Sequence, residues 1–146
     1  VKKPTKAKLR ALSADRVAFA KQVRQQYLNG ELDITRTPSG LGYILHEQGE
    51  GIAPKIGQKV EVHYVGLLEK KASVFDESFG NIRGARFILG AGEVIKGWDE
   101  AIGLLRWGDE ATLFIPSELG YGADGRGQGI PPHSNLIFYV EIASVG

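Results

Sequence analysis

Four short segments carry the side chains best placed to do chemistry. They are Phe75-Asp76, Val94-Ile95-Lys96-Gly97-Trp98, Tyr121-Gly122 and Ile130-Pro131-Pro132-His133. Together they offer aromatic and aliphatic surface with a single carboxylate and a single phenol. Groups of this kind suit holding a compact apolar ring, such as that of proline. They do not suit splitting water or moving phosphate.

Other chemistries find little support. The chain has 146 residues and no cysteine, which excludes disulfides, zinc-thiolate sites and a cysteine nucleophile. Gly120-Tyr121-Gly122-Ala123-Asp124-Gly125 matches the dinucleotide fingerprint G-x-G-x-x-G. That fingerprint needs a helix to follow, and here Arg126-Gly127-Gln128-Gly129 runs into Pro131-Pro132, so the segment reads as a flexible loop. His46-Glu47 opens an H-E-x-x-H pattern that no second histidine completes. His46, His63 and His133 are scattered, Asp109-Glu110 reads as a pair of solvated turn charges, and no G-x-S-x-G occurs. The expectation is a site without metal or cofactor.

The elements that must position these residues follow from periodicity. From Leu32 onward apolar residues alternate: Tyr43 and Leu45 opposite Ile44; Val60, Val62 and Tyr64 against Glu61 and His63; Phe87 and Leu89; Leu113 and Ile115; Leu136, Phe138, Val140 and Ile142. A period of two marks strands of an antiparallel sheet, with Pro38-Ser39-Gly40 and Gly90-Ala91-Gly92 as turns. Within this body only about Lys96 to Leu104 reads as helix, giving an α+β layer.

Ahead of the body lies a different kind of segment. Residues 1–30 hold eight Lys/Arg against Asp15 alone, a charge of +7, whereas the whole chain carries +1. Residues 1–8 are Lys-rich with Pro4 and read as irregular. Leu9, Leu12, Phe19 and Val23 then recur at helical spacing, with Arg16 interrupting the stripe and Tyr27 one turn beyond. With Ser13 as a candidate cap and Asn29-Gly30 as a stop, two short helices or one broken helix fit residues 8–29. Such a stripe needs a partner, either the body of this chain or a second copy. The basic arm alone is compatible with nucleic acid or an anionic surface, although the acidic body disfavours nucleic acid. No apolar run approaches the ~20 residues of a membrane helix. A first residue of Val rather than Met is compatible with a removed signal peptide or anchor.

In order and approximate spacing, Val62-His63-Tyr64-Val65-Gly66, Phe75-Asp76, Phe87-Ile88-Leu89-Gly90, Glu93-Val94-Ile95-Lys96-Gly97-Trp98, Tyr121-Gly122, Ile130-Pro131-Pro132-His133, Leu136 and Phe138 resemble the FKBP-type peptidyl-prolyl isomerases. The resemblance is tight from about residue 57 to 142 and looser over 32–56. It implies a strongly bent antiparallel β-sheet wrapped around one short helix, with a proline pocket between them and an N-terminal helical segment outside the family pattern. The division expected is a basic helical extension, residues 1–30, and an isomerase domain, residues 31–146. By position, the resemblance makes Trp98 the floor under the proline ring, with Tyr64, Phe75 and Phe138 as walls and Val94 and Ile130 in the lining. The Tyr121 hydroxyl and the Ile95 backbone N–H would face substrate carbonyls, and Asp76 would lie beside the imide. Asp76 has a structural alternative, capping or pairing with Arg83 or Arg86.

Three departures stand out. Ala85 occupies a place where the family carries a large residue, unless Phe79 or Ile82 fills the gap. One extra residue lies between Tyr64 and Phe75, with Lys70-Lys71-Ala72-Ser73 in place of a Gly-bearing turn. The loop Arg126–Gly129 lacks bulky apolar groups. The implied activity is rotation of X-Pro bonds in folding chains, with apolar residues preferred before proline; the rival is a catalytically weak peptide-binding chaperone or scaffold module. Proline-containing polypeptides are the expected partners, a macrolide a candidate ligand and a homodimer through residues 8–29 a candidate assembly. A bacterial source is expected, with the compartment open and the periplasm preferred to the cytoplasm.

Overall fold

The computed structural model describes residues 3–146. Helix α1 (Lys6–Leu28) comes first, followed by strands β1 (Thr35–Arg36), β2 (Gly42–Glu47), β3 (Lys59–Leu68), β4 (Val74–Glu77) and β5 (Ala85–Ile88). Helix α2 (Lys96–Ile102) and strands β6 (Glu110–Ile115) and β7 (Leu136–Val145) complete the chain. The strands form one antiparallel sheet ordered β1-β2-β6-β7-β3-β4, with β5 also paired to β3. Strand β3 serves two neighbours on one edge: Lys59–Val62 pair with β5 and Val65–Leu67 with β4. Register shifts at Leu45/Glu47, Glu61/Val62 and Gly66/Leu67 mark the irregularities that bend such a sheet.

Alternation sorts the side chains. Val60, Val62, Leu113, Ile115, Leu136, Phe138, Val140 and Ile142 share a core with Trp98, Ala101 and Ile102 of α2. Their neighbours Val65, Leu67, Phe114, Ile137 and Tyr139 form a second core with Ala20 and Val23 of α1. The sheet is therefore covered on both faces, by α2 on one and α1 on the other. Residues Leu136–Val140 read as an unbroken apolar run because both of their faces are buried.

Helix α2 has only seven residues, too few to stand without tertiary packing. Gly97 lets it press onto the sheet: a Cβ there would sit 2.7 Å from Ile115 Cγ2. Asp99, in its first turn, accepts from the backbone N–H groups of Gly90 and Gly92, tying the preceding loop to the helix. The helix ends at Ile102, two residues short of the expected stop.

Helix α1 is one continuous helix, not two pieces. Nothing from Lys6 to Leu28 is Gly or Pro, so no residue breaks it. Thr5 is the cap, its Oγ1 accepting from Lys8 N at 3.2 Å, and Ser13 lies inside the helix with its hydroxyl donated to Glu77 Oε1. Lys6 to Lys8, expected to be irregular, are already helical, while residues 1 and 2 lie outside the described residues. The inward stripe is Arg16, Val17, Phe19, Ala20, Val23, Arg24 and Tyr27, and Leu12 faces out. Arg16 does not interrupt that stripe. Its Nε donates to Glu141 Oε2 at 2.6 Å, an oxygen that also accepts from the Tyr139 hydroxyl. Buried Arg24 donates from Nε and Nη2 to the Leu68 and Glu69 carbonyls. The stripe's partner in this structure is the chain's own sheet.

Asp109 also corrects the expectation of a solvated turn charge. It is 4% exposed, and its carboxylate accepts from Gly49 N (2.6 Å) and Arg106 N (2.8 Å), which closes two turns. Among the described residues no helix is long and apolar enough to cross a membrane.

Candidate active site

Between α2, the concave face of the sheet and the loop after Tyr121 lies a cleft of about 710 Å³. The structure places Tyr64, Phe75, Asp76, Val94, Ile95, Trp98, Tyr121, Ile130 and Phe138 along it. The rings pack edge to face. Trp98 meets Tyr64 at 5.2 Å and Phe138 at 5.3 Å between centroids, and Phe75 meets Phe138 at 5.5 Å. Such contacts fix ring orientation and stabilise by ~0.5–1.5 kcal/mol each beyond area burial. Trp98, Phe138 and Ile130 are buried, whereas Phe75, Val94, Ile95 and Tyr121 are half-buried. The Trp98 indole N–H is buried without an acceptor among the described residues. That arrangement costs ~1–3 kcal/mol, which a tryptophan serving only as core filler would avoid.

Local backbone irregularity aims two of these side chains. Along β4, Asp76 pairs with Gly66 and Val74 with Leu67, which leaves Phe75 as the extra residue of a bulge. In a regular strand neighbours point to opposite faces; the bulge lets Phe75 and Asp76 line the same cleft. Opposite them Gly66 must lack a side chain, since a Cβ there would lie 2.6 Å from Phe75 Cζ and 2.8 Å from Phe138 Cε1.

The polar groups are few and held. The Tyr64 hydroxyl donates to Asp76 Oδ2 at 2.6 Å. Burial, and then the bond to Asp76, raise the Tyr64 pKa well above its ordinary value, so it stays a neutral donor. Asp76 therefore pairs with a phenol, not with Arg83 or Arg86; the closest carboxylate to Arg86 is Glu61, at 3.8 Å. The Tyr121 hydroxyl accepts from Arg126 Nη1 at 3.0 Å. The Ile95 backbone N–H, just before α2, donates to no group among the described residues.

Six residues beyond the nine expected site residues line the cleft. Ala85 lines it, and neither candidate replacement does: Phe79 is buried in the α1 core against His63 and Tyr139, and Ile82 is 53% exposed. Glu93 is at the rim, with Oε1 accepting from Ile88 N. Arg126, Gly127, Gln128 and Gly129 come from the glycine-rich loop. That loop is closed by paired backbone bonds, Arg126 N to Ile130 O (2.8 Å) and Ile130 N to Arg126 O (3.3 Å). Arg126 is the only cation between Tyr121 and Pro132, the one sequence signal that could have drawn attention to it.

A bent antiparallel sheet folded over a short helix, with an aromatic cleft between them and single hydrogen-bonding groups at its edge, defines a class of proteins that hold a proline ring. The model of the family "FKBP-type peptidyl-prolyl cis-trans isomerase" matches residues 50–143. The "FK506-binding protein" of Neisseria meningitidis serogroup B is 44% identical over 106 residues, covering 71% of this chain and 96% of that protein. A Haemophilus influenzae protein described as "Probable FKBP-type peptidyl-prolyl cis-trans isomerase" is 37% identical over 141 residues. That match takes in 97% of this chain but 57% of the relative. The crystal structure of FkpA from Escherichia coli superposes with a TM-score of 0.72 at 37% identity, over 95% of this chain and 63% of that one. This chain belongs to the FKBP-type peptidyl-prolyl cis-trans isomerase family, and it is an isomerase of X-Pro bonds.

Proposed function

We propose that residues 31–146 catalyse rotation at the Trp98–Tyr121–Asp76 cleft, with residues 1–30 as a helical extension. The supporting observation is that six apolar lining residues and three hydrogen-bonding residues converge on one cleft from six separate segments. The proline ring rests on Trp98, walled by Tyr64, Phe75 and Phe138 and flanked by Val94 and Ile130. The Tyr121 hydroxyl and the Ile95 N–H hold the carbonyls on either side of the ring.

The peptide barrier of ~18–20 kcal/mol is lost resonance. In the planar imide the carbonyl oxygen carries partial negative charge that water stabilises; in the twisted state much of that charge is gone. A cleft that strips water from the carbonyl raises the planar state relative to the twisted one. Asp76, oriented by Tyr64 beside the imide, repels the planar carbonyl's charge and acts in the same direction. An acceleration of ~10⁴ requires only about 5.5 kcal/mol, and no covalent step is called for. FK506, which gives the Neisseria relative its name, is placed in the same cleft as a competitor.

The test is the cis-to-trans rate of a Leu-Pro peptide with wild type, Tyr121→Phe and Asp76→Ala, compared at matched circular dichroism. Loss of one hydrogen bond that holds and orients the bound peptide, ~1–1.5 kcal/mol, predicts about a tenfold lower kcat/KM in Tyr121→Phe. Full activity in both variants would move catalysis away from this cleft. The rival reading, a module that mainly binds peptides, draws on the open side at Ala85. It predicts unchanged client affinity in both variants and a wild-type rate close to that of free peptide.

A further inference from the structure

The loop closing over the cleft carries a cation whose polar contacts are all accounted for. Arg126 Nη1 donates to the Tyr121 hydroxyl at 3.0 Å, and its guanidinium lies 5.5 Å from the centre of the Tyr121 ring. It makes no salt bridge within 4.0 Å among the described residues. The side chain lines the cleft and is exposed to solvent. Its backbone is not free to wander, because the paired bonds with Ile130 fix it across the three-residue tip Gly127-Gln128-Gly129. Glycines make the closure feasible. Gly127 has φ +59°, and Gly125 has φ +64° where a Cβ would lie 2.4 Å from Ile130 O.

Two carboxylates share the cleft, and each already accepts a protein hydrogen bond: Asp76 from Tyr64, Glu93 from Ile88 N. Those donors are neutral, so Asp76 still attracts the guanidinium from across the cleft, but the two make no ion pair. The guanidinium is instead bonded to the oxygen that meets the substrate carbonyl, where it is the nearest charge. By accepting from Arg126, Tyr121 keeps its own O–H free to donate, so the arginine also sets the direction of that hydroxyl.

We propose that Arg126 determines specificity: it selects a carboxylate-bearing side chain on the client residue whose carbonyl binds Tyr121, the residue preceding proline. This rests on the placement of the proline pocket above. Apolar residues remain acceptable at that position, and among charged residues Glu and Asp are favoured over Lys and Arg. A unit charge about 6 Å away at near-water dielectric changes affinity about threefold. The sign is opposite for Glu and Lys, which gives an expected Glu:Lys ratio of about ten in kcat/KM at low salt.

The experiment measures kcat/KM for Leu-Pro, Glu-Pro and Lys-Pro peptides with the full chain and with Arg126→Gln and Arg126→Lys, at about 20 mM and 500 mM salt. Expected is a wild-type Glu:Lys ratio of about ten that shrinks in high salt. The ratio should fall to about one or below in Arg126→Gln and persist in Arg126→Lys, which keeps the charge but not the planar donor. A purely structural role would lower all three peptides together and leave the ratio unmoved. A ratio near one in wild type, or one equal in wild type and Arg126→Gln, overturns the proposal. Leu-Pro rates that survive Tyr121→Phe would instead overturn the pocket placement, so the two failures are distinguishable.

Discussion

Replacing Gly66 by alanine should disable the cleft from beneath while leaving every polar group in place. The new Cβ would lie 2.6 Å from Phe75 Cζ and 2.8 Å from Phe138 Cε1. Carbon atoms rest ~3.5–4.0 Å apart, so the two rings must withdraw by about 1 Å. Both rings belong to the cleft, and Phe138 is locked edge-on against Trp98. The displacement therefore reaches the floor as well as the walls. Overpacking of this size costs ~1–3 kcal/mol of stability, and a 1 Å misplacement of binding groups costs up to ~10²-fold in rate. The assay is kcat/KM for a Leu-Pro peptide beside a urea denaturation curve. The control is Gly129→Ala in the same cleft, whose Cβ would meet Phe75 Cβ at 3.6 Å, an ordinary contact. A Gly66→Ala protein that folds and turns over like wild type would refute the claim that these rings have no room to give.

Two further outcomes concern the sheet's other face. Arg24→Met removes the charge-assisted bonds to the Leu68 and Glu69 carbonyls. It should cost about 2–3 kcal/mol in urea denaturation, and a loss below about 0.5 kcal/mol would mean that water replaces the guanidinium freely. His46 packs edge-on to Phe19 at 5.0 Å and pairs with Thr112 Oγ1, and burial lowers its pKa from 6.5. A depressed folded-state pKa means that the unfolded chain takes up the proton first. The stability this group contributes is present above pH 6.5 and is lost as pH falls through the folded-state value. The denaturation midpoint should therefore drop from pH 7.5 to 5.5 in wild type and flatten over that range in His46→Leu; an equal slope in both would assign the drop to other groups.

Much of this was legible in the chain because strand periodicity is strict. Val60, Val62 and Tyr64 alternate, as do Leu136, Phe138 and Val140, and so their shared face could be read directly. The second covered face was also written there, in the unbroken run Leu136–Val140, although alternation was the pattern that drew attention. Helix α1 was harder to read because its buried stripe contains two arginines. Charge suggests solvent, yet Arg16 and Arg24 reach a carboxylate and main-chain carbonyls that are brought near only by the fold. The bulge that turns Phe75 and Asp76 to one side depends on register with Gly66 and Leu67, a long-range property. Asp109 was misread for the same reason, since its two donors, Gly49 N and Arg106 N, converge only after folding. Arg126 sat in a segment that looked like loose linker, and only the backbone pairing with Ile130 gives its charge a fixed place.

The position of β7 has a consequence for biosynthesis. It is the last of the elements to be translated, yet it lies in the middle of the sheet between β6 and β3, and both cores draw on it. Helix α1 is made well before it, and its partners Ile137, Tyr139 and Glu141 follow only after more than 100 residues of further elongation. At ~5–20 residues per second that interval is on the order of 5–20 seconds. During it the helix can meet Val65, Leu67 and Phe114 but lacks Ile137 and Tyr139, and neither core is complete without β7. Both cores therefore wait for β7, and the closing of the sheet comes late in the synthesis of this segment.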